Sequence, residues 1–407
     1  MRTPARGAYG TPPVDGAACR DEPADVDPGR RVAVAQQARS IAAAWSPPDA
    51  PPTWWLTAAT FTAIAEDDEL LDLAAAVPLD RLPPLLLSAA IRFHLDRRGG
   101  ERLAAYYPRP GGAQPPRDEG FRPALRAFAE AEAPALARLC REHRYQMNEV
   151  SRCLDVVAAF AKVTAGDPRP IALIDLGTGA GLGLHLDRYR YTYLLPDGTP
   201  LAVGDERSPV ALSCAVRGRA GPPAPPRLPE IAYRLGVDVE PLDLADAGTA
   251  RWLSACVPPE IGAVTRFAAA VAVARAHPAA TLRGDLVEML PAVVGEIPTD
   301  ALLCMVDTYV HVFLPPDRLA AFRDVVDQIG RDRDVEWISV DPLVPLGPAA
   351  TGTVQALDVP PDWLRENQEG GLFGVIGRLG IRNGTRGGAV LGRAHPSGAW
   401  LEWTAPQ

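Results

Sequence analysis

Apolar positions recur along this chain with two different spacings, and the spacing changes near residue 165. From residue 31 to about residue 163 they recur every three or four positions, which predicts helices. These helices are predicted at 32–45, 54–77, 84–97, 122–142 and about 144–163. We therefore expect an all-helical domain over 31–165. Residues 1–30 are rich in Pro and Gly and show no periodicity, so a disordered tail is predicted there.

Beyond residue 166, short continuous apolar runs alternate with helical stretches. Such runs, bounded by glycine or proline, are typical of buried parallel strands. They are found at 171–176, 231–240, 281–285, 301–306 and 335–340. Strand-like runs joined by an Asn383-Gly384 turn then predict a closing antiparallel hairpin within 372–403. The expected fold class is α/β, with a Rossmann-like sheet over 166–407.

A different pattern interrupts this second region between about residues 187 and 229. Tyr189, Tyr191 and Tyr193 alternate with polar residues and are followed by a Pro-Asp-Gly turn, which predicts an inserted β-ribbon. Interleaved tyrosine and arginine can also stack on nucleic-acid bases. A strand with its aromatic residues on one face explains the same alternation, and we favour that interpretation.

The first candidate for a binding site lies at the end of the first predicted strand, where Asp175 is followed by a loop with glycines at 177, 179 and 181. A strand, a glycine loop and a helix-like segment in this order expose backbone N–H groups that can bind a nucleotide. The spacing lacks the third glycine of G-x-G-x-x-G and has no G-x-x-x-x-G-K-[ST]. This argues against an NAD-dependent oxidoreductase and a P-loop.

The stretch DLGTGAG resembles the first motif of class I S-adenosylmethionine-dependent methyltransferases. In that family the loop wraps the methionyl part of the cofactor and the acid orients it, which implies roles here for Asp175, Gly177, Thr178, Gly179 and Gly181. Three later stretches, LGVDVE, TLRGD and ALLCMVD, resemble further strand ends of the family in the same order. The resemblance implies that Asp238, with Glu240 as the alternative, binds the ribose, that Asp285 contacts the adenine, and that Asp307 lies beside the cofactor.

The whole chain also resembles an uncharacterised bacterial family known only as a domain of unknown function. The stretches RYQMNEVSRC, GLGLHLDRYRY and LGRAHPSGAWLEW carry this second resemblance. It implies no substrate.

Two groups of polar residues are candidates for the substrate side. Tyr145, Asn148, Glu149 and Arg152 are three or four positions apart and would share one face of a helix. That face either lines the cleft beside the glycine loop or forms a salt-bridged surface between domains.

The second group follows the fourth strand of the predicted parallel sheet. In an extended segment Asp307, Tyr309 and His311 would share one face, and His311 could act as the general base. Alternatively the segment is already helical and His311 only caps or packs.

These features predict a methyltransferase that uses S-adenosylmethionine on a small-molecule substrate, with the helical domain as a lid. The motifs do not distinguish this from transfer of the aminocarboxypropyl group or ring closure within the amino acid. A non-catalytic binding protein with the same fold is a further alternative.

The composition excludes several classes of binding partner but says little about the reaction. A net charge of −9 argues against a general nucleic-acid binder. No apolar run approaches the ~20 residues of a membrane span, so no membrane partner is predicted. The six cysteines are scattered, which suggests neither a disulfide framework nor a metal site. Without an apolar signal segment we expect a cytoplasmic protein, and a homodimer is left open.

Overall fold

A computed structural model of the chain describes residues 28–47, 50–98, 102–109, 115–165, 167–218, 221–223, 228–345 and 351–405. The predicted disordered tail lies outside these residues, except that 28–30 already belong to the first helix. The α-helices of the described residues are α1 Pro28–Ala44, α2 Trp55–Glu66, α3 Asp68–Ala75, α4 Pro83–Arg98, α5 Phe121–Glu142, α6 Cys153–Val163, α7 Ala247–Cys256, α8 Ile261–Ala276, α9 Leu286–Gly295, α10 Pro316–Asp332 and α11 Pro361–Gln368.

Two predicted helices are interrupted. The helix predicted over 54–77 is divided at Asp67, whose carboxylate accepts hydrogen bonds from the backbone N–H groups of Glu69 and Leu70 and so begins α3. The prediction over 144–163 is wrong in its first part. Residues 143–149 are not helical, a 3-10 turn follows at Val150–Arg152, and α6 begins only at Cys153.

The strands of the described residues are β1 Ile171–Leu176, β2 Arg190–Leu194, β3 Pro200–Gly204, β4 Ala211–Arg217, β5 Ile231–Asp238, β6 Ala280–Arg283, β7 Leu302–Thr308, β8 Val335–Asp341, β9 Val344–Pro345, β10 Thr351–Gly352, β11 Gly374–Arg382, β12 Thr385–Ala394 and β13 Trp400–Trp403. Eleven of them form one sheet in the order β3-β2-β4-β13-β12-β11-β8-β7-β1-β5-β6. Strands β6, β5, β1, β7 and β8 are parallel to one another. The predicted α/β class is confirmed.

The predicted closing hairpin is formed by β11 and β12, with β11 antiparallel to β8. Its turn residues, Asn383 at φ 49° and Gly384 at φ 73°, both occupy the left-handed region, as a tight hairpin turn requires. Strand β13 then adds antiparallel to β12.

The predicted ribbon is present as β2 and β3, but it is not a separate element. Strand β2 also pairs with β4, and β4 pairs in parallel with β13, so the insertion extends the main sheet. Tyr189, Tyr191 and Tyr193 are 0% exposed, and their hydroxyls donate to the carbonyls of Leu182, Leu186 and Leu154. Because the rings are enclosed, stacking on nucleic-acid bases is ruled out for them, and the strand interpretation holds.

The helices before β1 pack directly on one face of the sheet. A continuous apolar cluster joins residues such as Val34, Leu86 and Phe160 to the sheet residues Val306 and Trp403. The opposite face packs mainly against α9 and α10 in a second cluster that contains Phe322 and Trp337. The predicted domain boundary near residue 165 stays a prediction.

Five of the six cysteines lie in the described residues, and all five are buried free thiols. Cys19 lies outside them. None of the helices that the structure describes is long and apolar enough to cross a membrane.

Candidate functional site

The glycine loop leaves β1 at the carboxyl edge of the parallel strands. Gly177, Gly179 and Gly181 have φ values of 66°, 54° and 71°, in the left-handed region that favours glycine. At Gly177 a β-carbon would also lie 2.5 Å from the side chain of Val310. The sequence pattern therefore marks a loop whose conformation depends on glycine.

A carboxylate lies on each side of this loop. Asp175 is 9% exposed and accepts a hydrogen bond of 2.7 Å from the Thr178 hydroxyl. Burial raises the pKa of Asp175 to about 7. Asp238, at the end of β5, accepts bonds of 2.8 Å from the N–H groups of Gly179 and Glu240, one on each oxygen. Both acids thus help to hold the loop.

A cavity of about 80 Å³ lies between this loop and the segment 147–156. Its polar walls come from both sides: Asn148, Glu149, Arg152, Asp175, Thr178 and Thr308. Sites that enclose a whole cofactor measure roughly 300–1,000 Å³. The cavity can therefore hold only one end of such a molecule.

Three of the four residues predicted on the substrate side reach this cavity, although not from a helix face. Asn148 accepts a bond of 3.1 Å from the Ala180 N–H. Glu149 accepts from Ser151 N–H at 3.0 Å, and its other oxygen has no partner among the described residues. Arg152 donates to the Pro396 carbonyl at 3.3 Å.

Tyr145 does not reach the cavity. Its hydroxyl donates to the Cys256 carbonyl at 3.0 Å, and its ring packs in the apolar cluster. The predicted helix face is wrong because residues 143–149 are not helical.

The predicted shared face of Asp307, Tyr309 and His311 is also wrong. Strand β7 ends at Thr308, Tyr309 takes a left-handed φ of 59°, and a 3-10 turn begins at His311. The Tyr309 ring lies under the Arg152 guanidinium at 4.0 Å. His311 instead contacts the rings of Phe322 and Trp337 on the other face of the sheet.

Asp307 and His311 belong to a closed polar cluster on that other face. The Nδ1 atom of His311 is 2.9 Å from Oδ1 of Asp307, but the two are not aligned as a hydrogen bond, since neither ring nitrogen of His311 has a hydrogen-bond partner in the described residues. Burial lowers the pKa of His311 to about 4 and raises that of Asp307 to about 6. Because Val306 and Thr308, and not Asp307, line the cavity, His311 is not placed to take a proton there.

Asp285 lies elsewhere again. Its carboxylate caps α9 by accepting from the N–H groups of Val287 and Glu288, and it forms an ion pair with Arg318. These bonds occupy the Asp285 carboxylate, which the resemblance predicts to contact the adenine.

Sequence reasoning missed the members of the cluster that come from β8. Trp337, Ser339 and Asp341 are alternate residues of this strand and lie on one face beside Asp307. The period of two in VEWISVD carries that signal. It identifies a shared face, but not the neighbouring strand that the face meets.

The sequence model of a family described as "Uncharacterized protein conserved in bacteria (DUF2332)" matches residues 33–403. This match confirms the resemblance to an uncharacterised bacterial family, whereas the resemblance to methyltransferases stays a prediction. A comparison with curated proteins gives no match.

Proposed function

We propose a function for this chain, which belongs to the DUF2332 family, from its site alone. It is an S-adenosylmethionine-dependent methyltransferase that acts on a small molecule. The observation that supports this is the loop of three left-handed glycines between Asp175 and Asp238, at the ends of two adjacent parallel strands. Ligands of open α/β sheets bind at this edge.

The cavity beside the loop suits the amino-acid end of the cofactor. Asp175 and the unpartnered oxygen of Glu149 are acceptors for an ammonium group. Arg152 lines the same cavity. Its Nε and Nη2 donate to Pro396 and Met147, and among the described residues Nη1 has no hydrogen-bond partner, so it is available for a carboxylate. A zwitterion therefore meets charges of both signs within a cavity of about 80 Å³.

The nucleoside end has to lie outside this cavity. Each Asp238 oxygen accepts one backbone N–H and keeps a second lone pair for a ribose hydroxyl. The next residue, Val239, is 66% exposed and offers an apolar surface to a base. Asp285 has no part in this proposal.

When bound, S-adenosylmethionine supplies an electrophilic methyl group on a sulfonium leaving group. The residues of the chain hold the cofactor and exclude water from the cavity, which is closed on one side by Asn148 on the glycine loop. A second cavity of about 30 Å³, lined by Arg92, Tyr107 and Tyr145, lies on the far side of Met147. We propose that the substrate approaches from this helical side, and we assign no general base.

Titration calorimetry with S-adenosylmethionine, S-adenosylhomocysteine and NAD⁺ tests the cofactor. We expect the first two to bind and NAD⁺ not to bind. Asp175→Asn removes a charged acceptor and should weaken binding about 10- to 100-fold. The matched control is Asp300→Asn, an exposed acid before the amino end of β7, which should bind as the wild type does.

Failure of both adenosyl compounds to bind the wild type contradicts the proposal, as does equal affinity in Asp175→Asn. If binding is found, mass analysis of the product then separates the reactions. S-adenosylhomocysteine indicates methyl transfer, methylthioadenosine indicates transfer or cyclisation of the amino-acid part, and no product with any substrate indicates a binding protein.

A further inference from the structure

The closed polar cluster on the α10 face of the sheet has no role in the proposed cofactor site. It consists of Asp307 from β7, Ser339 and Asp341 from β8, and His311 from the turn between β7 and α10. All four are buried, with Asp307 and His311 at 0% exposure. Four polar side chains so enclosed need a specific reason to be together.

The hydroxyl proton of Ser339 cannot satisfy both carboxylates of this cluster. The Ser339 hydroxyl lies 3.1 Å from Asp307 Oδ1 and 2.9 Å from Asp341 Oδ2, yet it carries a single hydrogen. Among the described residues no lysine or arginine forms an ion pair with either carboxylate. Arg323, whose charge acts on His311, donates its Nε–H to the Val354 carbonyl. The two buried carboxyl groups also form a hydrogen bond with each other, which requires a proton on one of them. A bound cation could take the place of that proton between the two acids.

His311 is a second, independent observation that points to a ligand. Neither of its ring nitrogens has a hydrogen-bond partner in the described part of the chain. Its Nδ1 atom nevertheless lies 2.9 Å from Asp307 Oδ1 and so faces the carboxylates. An enclosed imidazole without a partner, aimed at two acids, is the donor arrangement that a metal ion completes.

The outer oxygens of both carboxylates are held by N–H groups. The Trp337 indole donates to Asp307 Oδ2 at 2.5 Å, and the Val312 backbone N–H donates to Asp341 Oδ1 at 3.3 Å. The remaining oxygens are left pointing into the cluster. Metal-binding carboxylates are commonly oriented by such outer bonds.

From this arrangement we propose that Asp307, His311 and Asp341 bind one divalent transition-metal ion, with Ser339 orienting the two acids. Neighbouring ligand atoms of an octahedral ion at ~2.1 Å lie about 3.0 Å apart, close to the 2.9 Å between Asp307 and His311. The three ligand atoms lie within 4.8 Å of one another. Opposite ligands of such an ion lie about 4.2 Å apart, so a pair at that limit closes by roughly 0.6 Å as opposite ligands and by more as neighbours. One imidazole nitrogen with carboxylate oxygens suits Zn²⁺ or Mn²⁺.

The ion has a structural role in this proposal, because the site is closed and lies on the other face of the sheet from the cavity. It ties the ends of β7 and β8 to the turn that begins at His311. The preceding residue, Val310, packs against Gly177, so the ion also supports the glycine loop.

Elemental analysis and calorimetry of the full chain test the site. We expect the purified protein, or protein stripped with chelator and titrated with ZnCl₂ or MnCl₂, to bind one ion per chain. Its melting temperature should rise by a few degrees at saturating ion. Asp341→Asn should lose this binding, whereas Asp155→Asn, an acid buried in α6 outside the cluster, should keep it. Ser339→Ala, a milder change, should weaken affinity about 10- to 100-fold.

Wild-type protein that neither retains nor binds Zn²⁺ or Mn²⁺ overturns the proposal whatever the variants do. Equal binding by wild type and Asp341→Asn overturns it too, since the ion would then lie elsewhere. If Asp341→Asn does not fold, unchanged affinity in Ser339→Ala decides against the site.

Discussion

At the scale of single residues, Asp175 combines two conflicting conditions. It is enclosed by the glycine loop, which favours the protonated acid, and it lines a cavity where only the carboxylate would bind an ammonium group. Its neighbours supply one hydrogen bond, from Thr178, and no positive charge in direct contact among the described residues. Ligand-free protein should therefore be destabilised by ionisation of this side chain.

The pH dependence of the Asp175→Asn variant tests this conflict. Burial raises the pKa of Asp175 from its usual value near 4 to about 7, so within this window the folded state holds a proton that the unfolded state has lost. The free energy of unfolding of the wild type therefore falls as pH rises from about 4 to 7. Asparagine lacks this contribution. At pH 8 the variant should exceed the wild type in stability by up to about 4 kcal/mol, relative to their difference at pH 4.

Urea unfolding of both ligand-free proteins at pH 4 and pH 8 measures that change. Contributions of other acids cancel when the two proteins are compared at each pH. A difference in stability that is the same at both values would show that Asp175 is ionised freely in the folded protein.

At the scale of elements, local patterns identified the strands and left their partners undetermined. β1 has the predicted bounds because a continuous apolar run ends at glycine. The segment 143–149 was misassigned because its i, i+3 spacing is helical while its contacts are not local: Asn148 bonds to the glycine loop and Tyr145 to Cys256. Tyr309 was misplaced because nothing in the local sequence signals a left-handed tyrosine.

Glu336 shows the same limit within one strand. It faces Gly380 across the β8–β11 pair and binds Arg378 and Arg382 of β11 while 0% exposed. The charges are visible in the sequence, but the register that brings them together follows only from the folded sheet. A fully enclosed acid between two arginines should contribute far more to the free energy of unfolding than an exposed ion pair does.

Truncating this acid tests that expectation. Glu336→Ala should lower the free energy of unfolding by about 3–5 kcal/mol, because Arg378 loses its carboxylate partner and Arg382 keeps only Asp167. The control Asp327→Ala breaks the exposed ion pair with Arg386 and should cost less than about 1 kcal/mol. Denaturant unfolding of both variants gives the comparison, and similar losses in the two would contradict it.

At the scale of the whole molecule, the helices before β1 and the sheet share one apolar cluster. The region expected to act as a lid has much of its apolar surface within that cluster, where α4 packs on α7 and the Tyr193 hydroxyl of β2 bonds to Leu154 of α6. A lid that moves as a rigid body would have to expose part of this surface. Local movement of residues 143–149, which contact the glycine loop through Asn148, would break fewer contacts.

We therefore expect the chain to unfold in a single cooperative transition. Calorimetry should give one peak whose van't Hoff and calorimetric enthalpies agree, and tryptophan fluorescence should change together with circular dichroism. Two separate transitions would show that the helical region is stable independently of the sheet.

The pairing of β4 with β13 also determines the order in which the sheet can form during synthesis. β4 is held between β2 and β13, so the three strands of residues 190–217 can join the sheet only after residues 400–403 have left the ribosome. Until then β4 presents an open edge with alternating apolar side chains, which favours pairing with other chains. Slow translation or loss of β13 should therefore lower solubility, because the open edge of β4 pairs with other chains. The segment responsible lies almost 200 residues before β13 in the sequence.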